Sequence, residues 1–185
     1  TVTAGGITSN RFKYDMTSIS GLVPAFGFAG DWVEIMGAGF GDSQIGSSIT
    51  FNGMPASVID SWYNDIIKVK VPTGAVTGKV KVKINNIEYI SDNNFELTSI
   101  SSINPHYGPA GTVVDIYGTG FGEARVGRII KIGATEINAI TSWTNSKITV
   151  IIPATAISGR IKLISGASET NADNIFNVTN IVSIT

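Results

Sequence analysis

An all-β fold, built twice in tandem, is what the sequence predicts, and three observations predict it. Apolar and polar residues alternate along short runs. Asparagine and glycine punctuate those runs, and most of the chain matches itself at a spacing of 81 residues, as from Gly37 to Gly118. Alternation at period two turns one face of a strand into a core and the other into water. A self-match over most of the length means two homologous domains.

The repeat pairs Ile19 with Ile100, Pro24 with Pro105, Val33 with Val114, Trp62 with Trp143, Gly78 with Gly159 and Phe95 with Phe176. Two domains are therefore expected at residues 17–97 and 98–179. "TVTAGGITSNRFKY" lines up with the tails of both copies, so residues 1–16 are predicted to be the last hairpin of an upstream repeat or an N-terminal extension, with Ala4-Gly5 at its turn. Residues 180–185 read as the start of a following repeat or a linker, because Ile181 and Ile184 match Ile100 and Ile103. A lone hairpin is marginal in water. The first segment is expected to fray, or to dock Ile7, Phe12 and Tyr14 on this chain or on a second copy, the last giving self-association through residues 1–15.

Within a copy, the strands follow from the pattern. Val33 and Ile35 alternate with Glu34 and Met36; Ile67, Val69 and Val71 alternate with Lys68 and Lys70; Val80, Val82 and Ile84 alternate with Lys79, Lys81 and Lys83. Two-residue hairpin turns are expected at Asn85-Asn86 and at Ser165-Gly166. About seven short strands fall in each copy, the number of an immunoglobulin-like β-sandwich. Domains this small fill one core layer between two sheets and leave no room for an internal cavity.

The stretch "GAGFGDSQIG", Gly37 to Gly46, taken alone suggests a phosphate cradle. A dinucleotide fingerprint needs its third glycine one residue later and a helix behind it. Neither is present, and "GTGFGEARVG" repeats the loop at Gly118 to Gly127. A loop used twice is architecture: a tight bend between strands.

"ISGLVPAFGFAGDWVEIMGAGFG" followed by "SWYNDIIKVKVPTGAVTGKVKV", and again "ISSINPHYGPAGTVVDIYGTGFG" followed by "SWTNSKITVIIPATAISGRIKL", resemble tandem IPT/TIG domains. The resemblance runs from Thr17 to about Thr179. It implies the immunoglobulin-like fold of plexins, Rel-type transcription factors, cyclodextrin glycosyltransferases and many bacterial surface proteins. The Rel-type branch binds DNA through basic loops that this chain lacks, and plexin-type receptors carry cysteine-rich neighbours absent here. Such motifs specify a fold; function has to come from a site.

A net charge of −1 gives no electrostatic footprint for nucleic acid. The absence of cysteine means no disulfides and no thiolate metal site, which fits a bacterial or archaeal protein at the cell surface or outside it. No apolar run reaches the ~20 residues of a membrane span, so no membrane insertion is expected. His106 is the one histidine, in a loop position held by Ala25 in the first copy. Asp42 with Glu123, and Asp92 with Asp173, supply one carboxylate per copy, against the six to eight oxygens calcium takes. No enzyme, cofactor or metal site is expected.

Positions filled differently in the two copies are where function can reside. Trp32 shares the outward face of its strand with Glu34 and Met36, and Val113 replaces it in the second copy. Phe26, Phe28 and Tyr63 also belong to the first copy. Flat aromatic faces serve as platforms for sugar rings or as protein hot spots, so these four are the candidate ligand or protein contacts. Packing against the neighbouring domain or the upstream segment is the plainer alternative. The lysine stripe Lys79, Lys81, Lys83 reads as solubility and edge protection. The resulting expectation is a non-catalytic structural or adhesion module in an extracellular repeat array, partnered by neighbouring repeats and by a polysaccharide or another surface protein. The alternative is a carbohydrate-binding accessory of a polysaccharide-handling protein.

Overall fold

Alternation decides the architecture directly. Val33, Ile35, Ile67, Val69, Val80 and Val82 are fully buried, while Lys68, Lys70, Lys79, Lys81 and Lys83 lie on the wet faces between them. The computed structural model describes residues 17–179, together with the backbone of four residues before them. Those four form β1 (Thr3–Ala4) and β2 (Ile7–Thr8), antiparallel, with Ala4 opposite Ile7. Ala4 is thus a paired strand residue and not a turn residue, one position off the register that the 81-residue spacing predicts. The expected docking of Ile7, Phe12 and Tyr14, self-association through residues 1–15, and the reading of residues 180–185 lie outside the described residues.

The first copy holds β3 (Ser18–Val23), β4 (Phe26–Gly27), β5 (Trp32–Ala38), β6 (Ser48–Phe51), β7 (Met54–Ala56), β8 (Ile59–Trp62), β9 (Ile66–Lys70), β10 (Gly78–Ile84) and β11 (Ile87–Leu97). They make a four-stranded sheet in the order β3-β5-β9-β8 and a five-stranded sheet in the order β4-β11-β10-β6-β7. The second copy repeats the plan with β12 (Ser99–Asn104), β13 (Tyr107–Gly108), β14 (Val113–Thr119), β15 (Arg128–Ile132), β16 (Thr135–Ile137), β17 (Ile140–Trp143), β18 (Lys147–Ile151), β19 (Gly159–Ser165) and β20 (Ser168–Val178). Its sheets run β12-β14-β18-β17 and β13-β20-β19-β15-β16. Nine strands per copy exceed the seven predicted because β4 and β13, two residues each, and β7 and β16, three residues each, are too short to show alternation.

Between the sheets of each copy lies one apolar layer. In the first it includes Phe40, Phe51 and Phe95, with Phe51 and Phe95 edge to face at 5.2 Å; in the second, Phe121, Phe176 and eight isoleucines that are all but inaccessible contribute. The Asn85-Asn86 turn falls where predicted, both residues at positive φ, with Ile84 opposite Ile87. Its counterpart is shifted by one. Ser165 pairs with Ser168, so Gly166 and Ala167 make the turn instead of Ser165 and Gly166. Gly166, at φ 57°, fits the left-handed conformation that a two-residue hairpin demands.

The glycine loop is a structural clamp. At Gly37 a Cβ would lie 2.1 Å from the Ser18 carbonyl oxygen and 2.4 Å from the Phe40 ring; at Gly118 the same atoms of Ser99 and Phe121 would be 2.0 and 2.4 Å away. Each glycine lets the phenylalanine fold back beneath its own strand. The loop's amides are already bonded: Gly37 and Phe40 donate to the carbonyls of Asp65 and Asn64, and Gly41 donates to Asn64 Oδ1. Indole Nε1 of Trp62 then caps the Phe40 carbonyl at 3.1 Å, and Trp143 does the same for Phe121. No helix follows either loop.

This geometry sets a test. Gly118→Ala is expected to cost roughly 1–3 kcal/mol or more, since backbone has to move. Gly21→Ala, where a Cβ meets nothing within 4 Å, is expected to stay within about 0.5 kcal/mol of native. Urea denaturation of both variants measures the difference.

Candidate functional site

The structure separates the four aromatics that the sequence groups together. Trp32 opens β5 on the outer face of its sheet, with Glu34 and Met36, and is 38% exposed. Its β9 neighbours place two ammonium groups near the ring, Lys68 Nζ at 5.5 Å and Lys70 Nζ at 5.2 Å from the centroid. Cation–π attraction of this kind is worth about 0.5–1 kcal/mol in the open. Tyr63 is 57% exposed at the β8–β9 turn. Trp32 sits opposite Lys70 at one end of β9, and Tyr63 adjoins Ile66 at the other. Four residues of strand put them about 13 Å apart, too far for one sugar ring to touch both.

Phe26 and Phe28 go elsewhere. Phe28 is only 4% exposed and belongs to the hydrophobic core of the second copy, not of its own. As a surface ligand contact it is overturned: burial in the neighbour leaves no face for a ligand. Phe26, on β4, is half-buried, its ring against Gly122, where a Cβ would approach to 2.6 Å. Over both rings lies the guanidinium of Arg128, 5.1 Å from the Phe26 centroid and 5.5 Å from that of Phe28.

Arg128 is the residue that sequence reasoning missed. It is 7% exposed, a buried cation that needs partners. Nη1 donates to the Gly120 carbonyl at 2.9 Å and Nη2 to Thr98 Oγ1 at 3.5 Å, while Thr98 Oγ1 donates to the same Gly120 carbonyl at 2.6 Å. Burial lowers its pKa and the carboxylate of Asp31 opposes the shift, but arginine's ordinary value is so high that it stays charged at neutral pH. Asp31 also ties the joint together, accepting the Phe28 amide at 2.9 Å and the Ser168 hydroxyl at 3.4 Å. A signal was available: in "RVGRIIKI" Arg128 has the parity of Ile130 and Ile132, the inward positions of β15, and Ser47 is its counterpart.

The connection has no slack. β11 ends at Leu97, β12 begins at Ser99, and Thr98 alone stands between them, buried. Thr119 Oγ1 donates to the Leu97 carbonyl at 3.0 Å, and Asn145 Nδ2 donates to Glu96 Oε2, so copy two grips the last strand of copy one.

The other polar candidates remain dispersed. His106 is exposed, and among the described residues no group of three acidic or histidine side chains could hold a metal. Asp115, the counterpart of Glu34, accepts from Thr149 Oγ1 at 2.6 Å, from Tyr117 and from Lys147, and these contacts, Thr149's first, hold its carboxyl below the ordinary 3.8 against slight desolvation.

Two immunoglobulin-like sandwiches in tandem, joined by a buried cation between aromatic rings, define the class: a multidomain β-sandwich module. The IPT/TIG domain family model matches residues 17–99 and again 98–175, and the chain belongs to that family. No curated protein matches the sequence. Among solved structures, the extracellular region of plexin A4 superposes with a TM-score of 0.52 at 16% identity, covering 89% of this chain and 18% of that one. A surface protein from a xyloglucan utilization locus of Bacteroides uniformis gives 0.38 at 18% identity, over 87% of this chain and 49% of that one. An auxiliary nutrient-binding protein of Bacteroides thetaiotaomicron gives 0.41 at 26%, over 44% and 21%. The chain therefore spans less than a fifth of the plexin region it matches.

Two outcomes are expected here. Phe28→Ala removes a ring from the core of copy two and is expected to cost about 3–5 kcal/mol there, with copy one melting as before, read by calorimetry. For Asp115, a folded pKa below the unfolded one means stabilisation that is present above pH ~4 and lost as pH falls through the folded value. Thr149→Val is expected to move the Asp115 titration toward 3.8 in carboxyl NMR.

Proposed function

We propose that this chain is a non-catalytic structural and adhesion module of an extracellular or cell-surface protein, its IPT/TIG domains at residues 17–97 and 98–179 being units of a longer array. The observation that carries the reading is the joint: Phe28 in the neighbour's core, Arg128 over Phe26 and Phe28, and a one-residue connection. Interfaces between domains of one chain are ordinarily polar and permissive of motion. A buried ring and a buried, bonded cation are instead what a fixed angle requires. A spacer has to hold such an angle, and it needs no pocket for chemistry.

Small-angle scattering of the native chain is expected to fit one narrow distribution of interdomain distances, and Arg128→Ala to broaden it. A broad distribution in the native chain would remove the rigid-spacer reading.

The second reading, a carbohydrate-binding accessory, is favoured by Trp32, exposed on a wet face with no aromatic counterpart in copy two. A site at Trp32 would make tryptophan emission change on titration with a polysaccharide panel, and the change would disappear in Trp32→Phe with the melting temperature held. An unchanged response in that variant would take Trp32 out of the proposed site.

A further inference from the structure

Where the two copies meet, a cleft of about 360 Å³ opens on the surface, within the ~300–1,000 Å³ of small-molecule sites, which favour domain interfaces. Phe26, Asn93, Asn94 and Glu96 line it from copy one, and Glu123 and Asn145 from copy two. Asn145 is committed on both sides, its Oδ1 accepting the Gly122 amide at 2.9 Å and its Nδ2 donating to Glu96 Oε2. That bridge sets the separation of the walls. Asn93, Asn94 and Glu123 face solvent above it.

The lining selects a ligand class. Carboxamides donate and accept, carboxylates only accept, and a hydroxyl satisfies both kinds. Phe26 adds an apolar surface for a sugar's C–H face. Two carboxylates and no lysine or arginine line the cleft, which disfavours an anionic ligand. The opposite holds around Trp32, between Lys68 and Lys70. The corresponding groove of copy two is different: His106 stands for Ala25, Ile175 for Asn94 and Asn177 for Glu96, Arg160 joins the lining, and no further domain closes it among the described residues.

From this geometry we propose that the interdomain cleft binds a short stretch of neutral saccharide, held by Asn93, Asn94, Glu96 and Glu123 over the Phe26 ring. The proposal rests on the carbohydrate reading and moves the site from Trp32 to the joint. A ligand touching both walls also stabilises the angle between the copies, so binding and rigidity are linked.

The test is an amide chemical-shift titration of the full chain with cellohexaose, mannohexaose and xyloglucan heptasaccharide, alongside an oligogalacturonate and calcium chloride. At least one neutral oligosaccharide is expected to shift the amides of Asn94, Gly122 and Glu123 and to leave the Trp32 indole in place. Asn94→Ala and Glu123→Ala are each expected to weaken that binding roughly tenfold, the loss of one hydrogen bond to a charged or polar partner, with unchanged melting temperature. Trp32→Ala is expected to bind as the native chain does. Shifts confined to Trp32, Lys68 and Lys70 would overturn the cleft while keeping the carbohydrate reading. Silence toward every saccharide at millimolar concentration would overturn both, and a response to calcium or oligogalacturonate alone would overturn the assignment of a neutral ligand.

Discussion

A single charged group, the guanidinium of Arg128, decides how this molecule is put together. Taken out of water, a cation has to be solvated by the protein or it unfolds its surroundings. Here the solvation comes from both copies: carbonyl and hydroxyl oxygens at Gly120 and Thr98, two phenyl rings from Phe26 and Phe28, and the field of Asp31. None of these groups does the work alone. The position of β4 against β11, the absence of a Cβ at Gly122 and the brevity of the connection through Thr98 all become intelligible as conditions for that environment to close.

Each sandwich, by contrast, stands on ordinary apolar burial, and that part was open to reading. Period-two runs such as Val80, Val82 with Lys79, Lys81, Lys83 give the strand faces unambiguously, because the alternation is local and one register slip would reverse every side chain. The glycine loops were readable too, since their recurrence spoke against a ligand. What pattern could not give was Phe28. An inward phenylalanine looks the same whether the core it enters is its own or its neighbour's; only three-dimensional adjacency distinguishes them. Arg128 was hidden for the opposite reason, as a charge is assigned to water by default, although its parity with Ile130 and Ile132 pointed inward.

The expected Ser165-Gly166 turn missed by one residue although the repeat spacing carries Asn85-Asn86 onto Gly166-Ala167, where the turn lies. Only at Ala4 does the spacing itself fall one residue short, since packing penalises a shift in the strands while turns of Gly or Asn tolerate several conformations. Of the four aromatic candidates, Trp32 and Tyr63 remained outside and Phe28 went in. Comparing the copies position by position treats them alike; a tertiary contact does not.

The two copies are interchangeable as folds and unlike as neighbours. Ser47 occupies in copy one the place of Arg128, and Tyr107 and Pro109 occupy in copy two the places of Phe26 and Phe28. Tyr107 is 68% exposed. Were the copies transposed along the chain, copy two would lose the phenyl ring that Phe28 lends its core, and a serine would confront a tyrosine and a proline where a cation now rests on two phenyl rings. Duplication supplied the domains; their order is written separately, in the few side chains at the seam, and a domain lifted from this chain would carry only half of that instruction with it.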